Sequence, residues 1–310
     1  MRRPSLGAAL GLVALAAVAA ADPPAPREVA SALHFDADAA WRDVERLVAL
    51  GPRPAGSAAL ARARQYIAGE LTRAGVQVRL GPFAARTPDG PVKMCNIVAV
   101  LPGRRSDVIM LAGHYDTKLF TDFRFVGAND GGSSAALRLE LGRRLAGARR
   151  EFTYWVVFFD GEEARREWSA TDGTYGSRYL AAELRRSGEI RRLRGLILLD
   201  MVGDAKLDIR RESYSTPWLT DIVWSSARHL GYAAYFRSDS VAVEDDHLPF
   251  LRAGVPAVDV IDIDYPPWHT AGDTLDQISP KSLQIVGDVI LHSLPALETV
   301  LARGRAGGPE

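Results

Sequence analysis

Runs of nearly continuous apolar residues at 76–80, 95–101, 108–113, 152–159, 196–200, 233–236 and 257–263 alternate with amphipathic stretches. Those stretches read as helices at 133–145, 177–186, 217–229, 247–253 and 280–301. Two further helical patterns precede the first strand, from Asp36 to the Gly51-Pro52 stop and from Ser57 to Gly75. A strand that is apolar on both sides needs cover on both faces, so the alternation predicts an α/β sheet with helices above and below. Ligands of such open sheets bind beyond the carboxyl ends of the strands. The residues able to hold a metal fall there. His114 and Asp116 close one apolar run, Glu162-Glu163 follow another, and Asp200 ends a third.

Each of these residues has an ordinary reading beside the chemical one. Spaced two apart at a strand end, His114 and Asp116 face one side, where the carboxylate orients the imidazole or joins its ligand field. Asp130 lies in the turn Gly127-Ala128-Asn129-Asp130-Gly131-Gly132, where it either caps the following helix or ligates a metal. The adjacent acids Glu162 and Glu163 repel, which raises one pKa unless a cation neutralises the other. A division of labour follows, with Glu163 on the metal and Glu162 exchanging protons. At a buried strand end an unpaired Asp200 would be costly, so a metal, an amine or a hydrogen-bond network is expected to meet it. His269, between Trp268 and Thr270 in a proline-bearing segment, completes the set. His34, His229 and His292 read as surface or helix-face residues, and His247 as either a helix-start residue or a partner of the acids before it.

Composition narrows the class. The 310 residues are 47% hydrophobic and carry 38 basic and 38 acidic side chains, so no electrostatic footprint for nucleic acid is present. Met1-Arg2-Arg3, the apolar stretch 6–21 and Ala19-Ala20-Ala21 before Asp22 read as a signal peptide over 1–21. At roughly 16 residues that stretch is short of the ~20 a spanning helix needs. The expectation is an exported protein, periplasmic or secreted, without stable membrane association after cleavage. A flexible lead-in at 22–35, one catalytic domain at 36–303 and a tail at 304–310 complete the organisation. Cys95 is the single cysteine, so the exported fold has no internal disulfide and rests on its core.

Together, His114-Tyr115-Asp116-Thr117-Lys118, Asp130, Glu162-Glu163 and His269 resemble the zinc aminopeptidase superfamily. The stretch from Phe159 to Ala164 with Trp168, then Tyr175-Gly176-Ser177-Arg178, Glu244-Asp245-Asp246-His247-Leu248-Pro249-Phe250 and Trp268-His269-Thr270 is closer still to the animal-type glutaminyl-peptide cyclotransferases. The resemblance implies a three-layer, zinc-exopeptidase-like α/β/α fold with a mixed, mostly parallel sheet. It implies one zinc on Asp130, Glu163 and His269, with Glu162 as the proton-shuttling acid and Asp200 and Asp245 in the active-site hydrogen-bond network. Trp168 and Trp268 become the pocket aromatics, with Tyr265 a further substrate-binding candidate from the loop before Trp268. The implied substrates are peptide or protein N-termini, whose glutamine closes on itself to pyroglutamate with loss of ammonia.

Departures from the family pattern are visible. Gly113 and Ser134 stand at the apparent positions of a disulfide in animal members, and Asp259 stands where those enzymes carry a histidine. The loop Asp264-Tyr265-Pro266-Pro267 is also changed. A two-zinc aminopeptidase remains open as the alternative. In it His114, with Asp116 nearby, joins Asp130 and Asp200 at a second metal, and Glu162 activates a metal-bound water. Against it stands the stretch from Glu163 to Gly176, longer than the compact turn expected of those peptidases and carrying Trp168. A binding protein that has lost activity is disfavoured by Glu162, which ligates nothing in either scheme.

Overall fold

The computed structural model describes residues 33–303. The signal-peptide reading, most of the lead-in and the 304–310 tail lie outside them. Helix α1 (Ala37–Ala49) starts where the Asp36 carboxylate accepts from Ala39 N at 2.9 Å, and α2 (Ala58–Arg73) where Ser57 Oγ accepts from Leu60 N at 3.0 Å. Both caps satisfy an amide that the first helical turn would otherwise leave without a partner. Strands β1 (Gln77–Thr87) and β2 (Gly90–Leu101) form a hairpin in which Thr87 pairs with Gly90. Next come β3 (Val108–Ala112), α3 (Ser134–Leu145), β4 (Thr153–Phe158), α4 (Tyr175–Ser187) and β5 (Leu193–Asp200). The chain continues through β6 (Ile209–Glu212), α5 (Pro217–His229), β7 (Phe236–Val241), the short α6 (Leu248–Leu251), β8 (Ala257–Ile261) and α7 (Pro280–Arg303).

Six strands form the central sheet in the order β1-β2-β4-β3-β5-β8, antiparallel at β1-β2-β4 and parallel from β4 through β8. Alternation along each strand sorts side chains between two cores. From β3 and β4, Ile109, Leu111, Val156 and Phe158 face the layer containing α1, α2, α3, α5 and α7. Met110, Ala112, Trp155 and Val157 face the layer of α4 and α6. This is the three-layer, mostly parallel arrangement that the resemblance implied. By length and composition α7 could cross a membrane, but its apolar face is buried in the first core.

The structure differs from the expected elements chiefly near the β8 edge. Residues 233–235 are a turn, and the strand begins at Phe236 and runs through Arg237, Ser238, Asp239 and Ser240. Its partner β6, Ile209–Glu212, carries no apolar run at all. In this two-stranded ribbon β7 faces solvent at 237–240 and β6 is short and polar, so hydrophobic periodicity does not mark it. The hairpin strand β1 likewise extends to Thr87, beyond its short apolar start, because pairing with β2 carries polar residues along.

Candidate active site

Because β3, β4, β5 and β8 run parallel, their carboxyl ends open on one side of the sheet. His114 continues β3 and bridges to Phe159 beyond β4, while Asp200 is the last residue of β5. Asp130 is held by a π-type turn, Asn129–Ser133, in which Gly131 adopts φ +74°. A Cβ on Gly131 would lie 2.2 Å from Asp116 O, so only glycine permits the approach that brings Asp130 against the β3 end. The helix cap is Ser133, so Asp130 is free of the capping role that competed for it.

Asp130, Glu163 and His269, far apart in the chain, each offer an atom within 4.8 Å of the others. His269 Nε2 stands 3.2 Å from both Glu163 Oε1 and Asp130 Oδ2, and Asp130 Oδ2 is buried with no hydrogen-bond partner among the described residues. One imidazole nitrogen and two carboxylates are the donor set of a catalytic zinc, and the orphaned oxygen is accounted for by a cation. The residues fit the metal. His269 sits at φ +53°, a conformation costing about 1–2 kcal/mol in a non-glycine residue, so its surroundings hold it. Trp268 stacks on its ring at 4.2 Å between centroids, and Phe120 and Phe125 meet it edge-on at 5.7 and 5.8 Å.

A second donor group, His114, Asp130 and Asp200, shares Asp130 with the first. Here His114 Nε2 lies 3.0 Å from Asp200 Oδ1 and 3.3 Å from Asp130 Oδ1, and the ring is buried. Asp116 is fully buried and accepts from the Glu162 amide at 3.2 Å, which fixes the backbone just before the two glutamates. Its carboxylate also lies 3.6 Å from His114 Nδ1.

Over these residues lies a cavity of ≈ 750 Å³ lined by Glu162, Asp200, Asp245, Trp168 and Trp268 as well as the donor triad. The indoles are 41% and 44% exposed, so they form walls of an open pocket rather than core. Trp168 Nε1 donates to Glu244 Oε2 at 3.3 Å. Burial pushes the Glu162 carboxyl well above the usual carboxylate range; His114 opposes this, while Glu163, Asp245 and Asp246 add to it. Burial, then the Asp200 charge, raises Asp245 to about 6. A value of about 6 suits Asp245 to exchange protons near neutrality.

Tyr265 corrects the sequence reading. It is 3% exposed and does not line the pocket, and its hydroxyl donates to Asp273 Oδ1 at 2.9 Å. Asp273 in turn accepts from the amides of Asn129 and Asp130 at 2.8 and 3.1 Å. Tyr265 therefore supports the turn that carries Asp130 and lies outside the pocket lining.

Several contributors escaped the sequence reading. Arg138 is fully buried and donates to Leu199 O at 3.0 Å and His114 O at 2.5 Å, tying together the β3 and β5 ends. Arg53, also fully buried, donates to Val126 O and Gly127 O at 2.8 and 3.0 Å, behind the Asp130 turn. Burial lowers both guanidiniums, to about 9 for Arg138 and about 10 for Arg53, while Asp200 opposes it at Arg138 and Asp273 at Arg53. They form a positive floor beneath an acidic site. One signal was available: Arg138 shares its helix face with the apolar residues Ala135, Leu141 and Leu145.

Comparison with known proteins agrees with this geometry. Residues 96–294 match peptidase family M28. A glutaminyl-peptide cyclotransferase-like protein of Mus musculus is 32% identical over 268 residues, covering 77% of this chain and 70% of that one. A glutaminyl cyclase of an Acidobacteriales bacterium superposes with a TM-score of 0.83 at 40% identity, over 92% of this chain and 99% of that one. A structure described as a leucine aminopeptidase precursor from Bacteroides thetaiotaomicron follows with a TM-score of 0.78 at 29% identity, over 84% of this chain and 96% of that one. With the donor triad, the paired acids and the two indoles set at the strand ends, the chain belongs to peptidase family M28 and, within it, to the glutaminyl-peptide cyclotransferases.

Proposed function

We propose that this protein converts the N-terminal glutamine of peptides to pyroglutamate, releasing ammonia, with one zinc held by Asp130, Glu163 and His269. The observation that carries the reading is the convergence of that triad beside Glu162, under Trp168 and Trp268. Zinc, when bound, supplies Lewis-acid polarisation of the side-chain amide carbonyl. The indole walls surround the glutamine side chain and limit competing water. Asp200 and Asp245 face the α-amino group and hold it toward the amide carbon. The α-nitrogen forms its bond to that carbon, and Glu162 takes the proton that the nitrogen loses. Glu162 then returns the proton to the departing amide nitrogen as the old carbon–nitrogen bond breaks, so acid and base are one residue. The closure is intramolecular, so positioning supplies much of the acceleration.

The orphaned buried atoms and the mixed nitrogen–oxygen donor set support zinc over a hard cation that prefers oxygen alone. One specific observation favours a second reading, a two-zinc aminopeptidase: the His114–Asp130–Asp200 group is a complete donor set. We favour one ion because His114 lies outside the pocket lining, whereas Asp130, Glu163 and His269 all line it. Export to the periplasm or medium rests on the apolar stretch after Arg3. Incubating the purified protein with a Gln-peptide and a leucine anilide decides the matter. Ammonia and a pyroglutamyl product are expected; aniline release without cyclisation would overturn the reading. Elemental analysis is expected to find one zinc per chain.

A further inference from the structure

The pocket wall at Ala242, Val243, Glu244 and Asp245 belongs to no regular element of the central sheet, yet Asp245 is 4% exposed with Oδ2 unpartnered. Something outside the site must hold it. Directly behind the wall lies Glu212, the last residue of β6, which is 3% exposed. Its Oε2 faces His247 Nε2 at 3.1 Å and accepts from Ser215 Oγ at 2.9 Å. Its Oε1 accepts from Tyr214 N at 2.8 Å and Val243 N at 3.4 Å. The wall is thus pinned from behind at Val243 and at His247, one residue either side of the Glu244–Asp246 stretch. On the other flank Asp246 accepts from Ser177 Oγ of α4. Ser215 extends the chain to β8, since Asp259 N donates to its Oγ at 2.9 Å. The Asp259 carboxylate faces His247 Nδ1 at 3.8 Å, and both of its oxygens are buried without a hydrogen-bond partner among the described residues.

We infer that Glu212 is a positioning residue: through His247 and Val243 it sets the pocket wall that presents Asp245 to the reacting amine. This rests on the assignment of Asp245 to the active site made above. Glu212 touches neither the zinc triad nor the cavity. Its own role has a simple physical basis. A buried carboxylate with four donors is anchored, and it transmits its position to the two wall residues that donate to it. The negative charge matters as well as the shape, because it sets which His247 nitrogen carries the proton. That choice fixes what the ring presents to Asp259 on β8 and to the Asp245-Asp246 turn on its own segment.

The test uses Glu212→Gln, which keeps the volume, and His247→Gln, which leaves the other three donors to Glu212 intact. Both are measured on full-length, zinc-replete protein for kcat, KM, the pH dependence of kcat/KM, zinc content and Tm. Displacing a reacting group by about an ångström costs on the order of a hundredfold. Either variant is therefore expected to lower kcat by roughly ten- to a hundredfold while retaining its zinc, with a displaced limb of the pH profile. Because both substitutions break the same link, the double variant is expected to lose little more than the worse single one. Wild-type kcat and pH profile in both single variants, or a loss that only follows Tm, would overturn the inference. The wild-type control separates the two claims: a wild type that fails to cyclise Gln-peptides refutes the function, whereas an active wild type with indifferent variants refutes only this positioning role.

Discussion

Two clusters of charged side chains, one between helices of a covering layer and one at the strand ends, are built on opposite principles. Between α1, α2 and α3, Arg143 donates to Asp43 at 2.5 Å, to Glu70 at 2.8 Å and to Glu140 at 3.3 Å, and Tyr66 donates to Asp43 at 2.5 Å. No side-chain atom of these five residues is left buried without a partner. At the strand ends, by contrast, Asp116, Asp130, Asp245, Asp246 and Asp259 each keep a buried oxygen without one among the described residues. Arg53 and Arg138, buried beside them, turn their terminal guanidinium nitrogens to backbone carbonyls. A satisfied network adds rigidity, whereas an unsatisfied one is costly unless a metal or substrate completes it. Between these two clusters, partner accounting rather than charge alone separates framework from site.

The sharpest test of the contrast removes the completing ion. Chelation, or His269→Gln, is expected to reduce cyclisation to background, with zinc re-addition restoring the chelated wild type but not the variant; ammonia release and elemental analysis report both. Next is Glu162→Gln, where loss of the proton carrier is expected to lower kcat by about 10²–10⁴-fold while one zinc remains bound. Equal activity in this variant and the wild type would remove the acid from its assigned role. Trp168→Ala is expected to raise KM roughly three- to tenfold through lost aromatic contact, with less change in kcat. Steady-state kinetics on two Gln-peptides that differ in the following residue checks this.

The framework cluster should respond in the other currency. Arg143→Met is expected to cost about 1–3 kcal/mol of stability by denaturant unfolding, since three carboxylates lose a charged donor, while kcat stays at the wild-type value. Its pH dependence has a defined sign. Against the upward push of burial, Arg73 and Arg143 hold Glu70 below its ordinary value of 4.5. A carboxylate held low contributes stability above that pH and loses it as pH falls through its folded value. The gap between wild type and Arg143→Met is therefore expected to narrow below pH 4.5. A gap that widens on acidification would show that Arg143 acts by packing alone. The smallest effect expected is from Tyr265→Phe, which removes one hydrogen bond to Asp273 and costs about 1 kcal/mol.

The apolar runs and their terminal acids made the parallel part of the sheet, and with it Glu162, Glu163 and Asp200, legible from the chain, whereas Asp130 and His269 stood out only through the whole constellation and the family resemblance. A buried strand must be apolar along its length, so a carboxylate at its end stands out. Tyr265 was misjudged because adjacency to Trp268 in the chain says nothing about which way a loop residue turns. Glu212 was invisible for a related reason. It ends a short polar strand in a ribbon with no apolar signature, and its importance lies wholly in the four donors that folding brings to it. Arg53 and Arg138 turn their terminal guanidinium nitrogens to backbone carbonyls, and no residue pattern announces a carbonyl's position.

From the sequence alone came the layered α/β architecture, because periodicity is a local property, and the family, through the resemblance of its motifs to known members. Convergence of the donor triad, the shared use of Asp130, the positive floor and the bracing of the Asp245 wall were decided by tertiary structure. Those depend on distances between residues far apart in the chain, which no local pattern encodes.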